Sequence, residues 1–254
     1  KWCAVIDIDE MINTNSMIEN SLRNVISSRE QQNADCISLS WRISFPNKKL
    51  IWEDDFSVNR FVNGEKHPLV KSIFLTSKFN TSYAHYPECS YELRTYYTCD
   101  GNKYDHNNIR PSNENLNYCE DGTNWSYICH YYIRSLEEYV WKFSRGENDG
   151  NGVLKTKKFR YNNPGIFNLF LDKFYKNNLS NFPKLSDDFV VEFNRIKSIP
   201  GINSAIRTIK DKFLENSFIF VEESLQSAIK DNKVDVETKN KWNQIVNEWR
   251  RERG

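Results

Sequence analysis

The sequence carries almost no excess of either charge: 35 Lys and Arg stand against 34 Asp and Glu, a formal net charge of +1. That balance argues against a nucleic-acid footprint or a highly charged partner. The six cysteines (Cys3, Cys36, Cys89, Cys99, Cys119 and Cys129) contain no C-x-x-C pair, which argues against a zinc ribbon. His85, Cys89, Cys99, His106 and Cys119 can be imagined around a metal, set against the simpler reading of buried thiols or disulfides. No apolar run approaches the roughly 18 to 20 residues needed to span a membrane, and there is neither a signal-peptide pattern nor an internal repeat. No methionine, linker or cap precedes Lys1, and a strand pattern begins at once. This reads as a chain cut upstream inside a domain, so the missing targeting segment says little about the parent protein. Three glycosylation sequons (at Asn80, Asn124 and Asn178) are what chance supplies in so asparagine-rich a chain.

What the sequence does have is enough apolar material, 39% of its residues, for one α/β domain with a helical appendage. Its most informative stretch is Trp2-Cys3-Ala4-Val5-Ile6-Asp7-Ile8-Asp9-Glu10. Read as one strand, it puts Asp7 and Asp9 on one face and Ala4, Ile6 and Ile8 on the other. Carboxylates at the carboxyl edge of an α/β sheet sit where such sheets bind ligands. Two hard oxygen donors there suit Mg²⁺ or Mn²⁺ beside a diphosphate. The bland reading is a solvated strand end.

Further along, apolar spacing predicts a helix over Asn15–Glu30. Ile37, Leu39 and Trp41 alternate with Ser38 and Ser40 in a predicted strand, Asp35–Ser44. A short helix is expected at Phe56–Phe61, strands at Val70–Thr76 and Tyr91–Thr98, and a long polar loop from Cys99 to Asn124. Tyr127–Arg134 reads as a strand entering a capping box, Ser135-Leu136-Glu137-Glu138, whose helix ends near Arg145-Gly146. From Pro164 onward the texture turns helical, with helices over Gly165–Asn177, Ser186–Lys197, Ile202–Lys230 and Val236–Arg251. We therefore expect two parts, 1–150 and 151–254.

Asp7-Ile8-Asp9-Glu10, Asn59-Arg60-Phe61, Val70-Lys71-Ser72-Ile73, His85, His130 to Tyr139, Lys142 and Arg145-Gly146 recur in this order. Together they resemble the family 2-like and family 92 glycosyltransferases over about residues 1 to 146. The resemblance implies an α/β fold: the acceptor-side, carboxyl-terminal part of a GT-A domain, without its nucleotide-binding half and followed by a helical extension. It implies a metal-dependent enzyme that moves a hexose from a nucleotide-diphosphate sugar, by default a UDP-sugar, to a glycan acceptor with inversion. The isolated piece would be inactive. The implied cofactor is Mn²⁺ or Mg²⁺, neutralising the departing diphosphate.

On that reading Asp9 is the first metal ligand, and Asp7 meets the metal, its water or the ribose. Glu10 orients the site by hydrogen bonding, and His130 is the third ligand. The capped helix after Arg134 offers free backbone N–H groups to an anion. Arg134 and Lys71 are either phosphate clamps or surface salt bridges. The base that deprotonates the acceptor is Asp54 or Asp55, in an acidic loop with Glu53. Trp41 and Trp52 are either sugar-stacking rings or core. The expected location is the cytoplasm, at the membrane face, in surface-polysaccharide synthesis, with the Golgi lumen as the alternative. The helical tail docks on a membrane surface, packs against the missing half or self-associates. Two rivals stand beside this reading: a non-catalytic carbohydrate-binding or scaffolding module, and a metal-dependent phosphotransferase or nuclease using Asp7 and Asp9.

Overall fold

The computed structural model describes residues 1–14, 21–83, 85–88, 94–104, 126–144, 164–176, 182 and 185–254. Asn124, Asn178, Cys89, His106, Cys119, Arg145, Gly146, the first part of the helix expected from Asn15 and most of the expected long loop lie outside these residues. The chain is mixed α/β. It forms two compact units, one of residues 1–44 and 64–132, the other of 45–63 and 133–254. The second unit thus begins ahead of the boundary at 150 that the change of texture suggested, and it takes in the 45–63 segment.

The first unit is built on a seven-stranded sheet. Its strands are β1 (Trp2–Ala4), β2 (Glu10–Asn13), β3 (Cys36–Ser44), β4 (Gly64–Leu75), β7 (Tyr96–Thr98), β8 (Lys103–Tyr104) and β9 (Tyr127–His130). A separate pair, β5 (Thr81–Ser82) with β6 (Pro87–Glu88), and the helix α1 (Leu22–Glu30) complete it. On one side β3 pairs antiparallel with β4. On the other it pairs in parallel with β7 along its first residues and with β9 along its last. β2 then adds antiparallel to β9. The β3–β4 ladder breaks between Ser40 and Trp41, opposite the stretch that holds Pro68, a residue with no N–H to give a ladder.

Covered on both faces, β3 does not show the half-buried alternation its Ser and apolar residues suggest: Ser38 and Ser44 are buried as fully as Ile37 and Leu39. Ile37, Leu39, Trp41, Ile73 and Ile128 form the core with Val25 of α1. Ser21 caps α1 by accepting the Asn24 N–H.

The second unit is helical: α2 (Ser57–Arg60), α3 (Leu136–Ser144), α4 (Pro164–Phe174), α5 (Asp187–Lys197), α6 (Ile202–Lys230) and α7 (Val236–Arg253). Its core holds Phe167, Phe170, Trp242 and Trp249, all fully buried. The Trp242 ring meets Phe167 at 4.8 Å and donates its indole N–H to Ser224 Oγ at 3.1 Å. Ser186 and Asp235 cap α5 and α7 by accepting the N–H of Phe189 and Thr238.

Candidate functional site

The opening run does not continue as one strand. β1 ends at Ala4, and residues 7–10 form a tight turn in which the Glu10 N–H donates to the Asp7 carbonyl at 3.0 Å. The Glu10 carboxylate returns the bond, accepting the Asp7 N–H at 2.8 Å. Ile8 is fully exposed at the turn, and Ile6 is exposed as well, so no apolar face opposes the two aspartates. Asp7 and Asp9 therefore project from a turn locked by Glu10, not from alternate positions of a strand.

Beyond the turn, β2 runs antiparallel to β9 with Glu10 directly opposite His130. The Tyr131 N–H donates to the Asp9 carbonyl at 2.8 Å and fixes the backbone there. As a result Asp9 Oδ1 lies 3.6 Å from His130 Nε2, while Glu10 Oε1 lies 3.9 Å from the other ring nitrogen, Nδ1. The ring is held by Trp41, whose centroid is 4.3 Å away edge to face; His85 and His67 flank the same indole at 5.0 and 5.7 Å.

Lys71, on β4, closes the floor. Its side chain is 1% exposed, and its ammonium reaches Asp7 Oδ2 at 3.1 Å and Glu10 Oε2 at 3.3 Å. Lys71 is thus a buried ion pair and not the surface one considered above. Burial pushes the Glu10 carboxyl above its ordinary range, and the Asp7 N–H, Lys71 and His130 offset this only in part. Two buried polar atoms here, Glu10 Oε1 and His130 Nδ1, have no hydrogen-bond partner among the described residues. The nearby Cys129 thiol is buried and pushed up to about 12, despite the Arg42 guanidinium, so it is inert as a nucleophile or ligand.

Asp9 and His130 offer a cation one oxygen and one nitrogen 3.6 Å apart. Neighbouring donors bonded at roughly 2.1 Å in an octahedral shell stand about 3.0 Å apart, so the pair would close by about 0.6 Å on such an ion. One carboxylate oxygen and one imidazole suit Mn²⁺ or Mg²⁺, ions that take few protein ligands and complete their shell with water and phosphate oxygens. Among the described residues no three His, Cys, Asp or Glu side chains gather around one point.

The remaining expected site residues lie in the second unit. Asp55 Oδ1 accepts the Phe56 N–H at 2.7 Å and the Asn59 side-chain amide at 2.9 Å, just ahead of α2. Asp54 pairs with Lys210. Arg134 lies 3.4 Å from Glu138 Oε1. The start of α3 offers no free donors to an anion: the N–H groups of Leu136 and Glu137 already donate to the Lys49 and Leu50 carbonyls, both at 3.2 Å. Ser135 caps α3 as expected, its Oγ accepting the Glu138 N–H at 3.4 Å, while the Glu138 side chain is engaged elsewhere. The Glu138 carboxylate takes a bidentate bond from Arg60 (2.7 and 2.8 Å) and the Ser135 hydroxyl at 2.7 Å. Burial opposes that carboxylate's charge, but Arg60, Arg134 and Ser135 outweigh it and hold its pKa below the ordinary range.

Trp41 is a core residue that orients His130 and not an open sugar platform. Its role was hidden in the sequence; the signal was its place on a long strand, β3, with neighbours on both sides. No protein-family model, no curated protein and no solved structure matches this chain.

Proposed function

We propose that the chain is the acceptor-side part of a GT-A glycosyltransferase that moves a hexose from a nucleotide-diphosphate sugar, by default a UDP-sugar, to a glycan acceptor with inversion. One observation carries the reading: Asp9 Oδ1 and His130 Nε2 face each other at 3.6 Å, with the buried Glu10 and Lys71 behind them. In this reading Asp9 and His130 hold Mn²⁺ or Mg²⁺, which when bound neutralises charge on the departing diphosphate. Glu10 faces the Nδ1 side of His130 and so favours the tautomer that leaves Nε2 open to the metal. Asp7, 56% exposed at its side chain, has an edge free for the ribose or a metal-bound water. Lys71 bridges the Asp7 and Glu10 carboxylates from a buried position, which weakens its part as a phosphate clamp.

Asp54 and Asp55 stay the two carboxylates considered as base: Asp55 spends its Oδ1 on Phe56 and Asn59, and both Asp54 oxygens meet Lys210. Arg134 is drawn toward Glu138, which weakens its part as a phosphate clamp.

The test is Mn²⁺ binding by electron paramagnetic resonance and UDP binding by calorimetry, on the protein expressed from its native reading frame. Asp9→Asn and His130→Gln should each weaken Mn²⁺ by at least about 10-fold and abolish metal-dependent UDP binding. UDP binding that survives a chelator, or Mn²⁺ affinity unchanged in both variants, would refute the reading and favour the non-catalytic carbohydrate-binding module.

A further inference from the structure

The corner between α5 and α6 stands out from the rest of the second unit. From Leu185 to Asn216 no residue is fully buried. Both legs rest on the 52–56 segment: Phe56 meets Phe189 and Phe193 of α5 at 5.5 and 4.6 Å, while Trp52 meets Phe213 of α6 at 5.6 Å. The turn between the legs, Ser198-Ile199-Pro200-Gly201, closes with Gly201 at φ +87°, a backbone open to glycine at little cost. Beyond the anchored bases the two legs and the turn are in solvent.

The chemistry of this corner differs from that of the chain. Residues 193–210 hold Arg195, Lys197, Arg207 and Lys210 and not one Asp or Glu, within a chain whose net charge is +1. Arg195 pairs with Glu192 and Lys210 with Asp54, both exposed pairs of small worth. Lys197 and Arg207 form no ion pair among the described residues. Between these cations Ile196, Ile199 and Ile209 are exposed by 40, 45 and 66%. Ile209 lies seven residues into α6, about 10 Å from its start at 1.5 Å per residue. Ile196 and Ile199 lie at the turn itself, within the roughly 5–10 Å to which interfacial segments enter a lipid headgroup layer, and Ile209 lies at the far edge of that range.

We propose that this corner is a docking element for an anionic lipid surface, with the isoleucines entering the headgroup layer and the cations meeting lipid phosphates. Cations and isoleucines alternate along this stretch, the arrangement in which long basic side chains lie along apolar surface while their charges reach phosphates, and this favours lipid over a second copy of the chain. No helix among the described residues is long and apolar enough to cross a membrane, so the contact is peripheral.

The experiment is co-sedimentation of the 254-residue chain with phosphatidylcholine vesicles, with and without about 30% phosphatidylglycerol. Binding is expected only with the anionic lipid and should weaken as salt rises. Lys197→Gln with Arg207→Gln should weaken it about 20- to 30-fold, the loss of two basic contacts. Ile199→Ser with Ile209→Ser should weaken it at least about 10-fold through lost apolar contact. Circular dichroism should be unchanged in both variants, because all four side chains lie outside the core. Equal binding to both vesicle types, no binding, or variants that bind like the parent would each overturn the proposal. So would a dimer in light scattering that the isoleucine variant dissolves while vesicles fail to bind, which assigns the face to a second copy.

Discussion

Replacing Lys71 with Met tests whether the buried ammonium under the candidate site is what allows Glu10 to stay charged. Methionine keeps most of the methylene packing and removes the charge. Asp7 loses little, because its side chain is 56% exposed and such pairs contribute about 0.2–1 kcal/mol. Glu10, fully buried, is left with the Asp7 N–H and must take a proton or remain charged without its cation. From an ordinary carboxyl value of 4.5, protonation at pH 7 costs about 3.4 kcal/mol, at 1.36 kcal/mol per unit. That sets a ceiling on the Glu10 share, so the whole penalty should be about 3–4 kcal/mol, within the range for breaking a buried pair.

The pH dependence has a definite sign. Glu10's folded pKa is raised above its unfolded value, and the variant raises it further, so the folded state binds the proton more tightly. The penalty is therefore complete above the folded pKa and shrinks as pH falls toward 4.5. At pH 5 the Glu10 share should be about 0.7 kcal/mol. The assay is native-state hydrogen exchange of β4 and β9 amides under urea, which reports the first unit separately. Lys71→Met with Glu10→Gln should lie within about 1 kcal/mol of the parent at both pH values. A penalty under about 1 kcal/mol at pH 7, or one equal at pH 5 and pH 7, would refute the reasoning.

Two further outcomes follow from the buried polar groups. Glu137 is fully buried and accepts the Trp249 indole N–H at 2.9 Å, Arg253 at 2.7 Å and the Trp52 backbone N–H at 2.9 Å. Glu137→Ala should therefore destabilise the second unit by about 3–5 kcal/mol, and Glu137→Gln by less, since its amide oxygen still accepts; thermal unfolding measures both, and a negligible shift for the alanine variant would count against this hub. Iodoacetamide with peptide mapping should modify the exposed Cys3 in the native protein, whereas the buried Cys129, pushed up to about 12, should react only after unfolding.

The elements that periodicity and caps mark on their own were legible in the sequence. Ser186 and the apolar spacing after it give α5, and the long apolar registers of 202–230 and 236–251 give α6 and α7 nearly to the residue. The opening strand was misread because a run of β-branched residues looks continuous whether or not it turns. What replaces a continued strand at 7–10 is a turn closed by the Glu10 carboxylate bonding back to the Asp7 N–H, a choice between turn and ladder that propensity does not weigh. The start of α3 was misread for a related reason. Its N–H groups go to carbonyls at 49 and 50, far away in the chain, and a capping motif cannot show that such donors are already taken.

The candidate site itself was legible as residue types and not as a place. Asp9 and His130 come together because β2 and β9 pair in one register, Glu10 opposite His130 and Ile12 opposite Ile128. Residues two apart in a strand share a face, so these two cross-strand pairs lie on the same side of the sheet. Ile128 is fully buried in the core, and Ile12 packs against it. A slip of one residue would turn Ile128 or Ile12 to the opposite face and remove that burial, at a cost of about 1.5–3 kcal/mol for each side chain exposed. The apolar pair thus fixes the register, and the register brings Asp9 to His130. Mutations that loosen the Ile12–Ile128 contact should therefore lengthen the 3.6 Å gap without touching either polar residue.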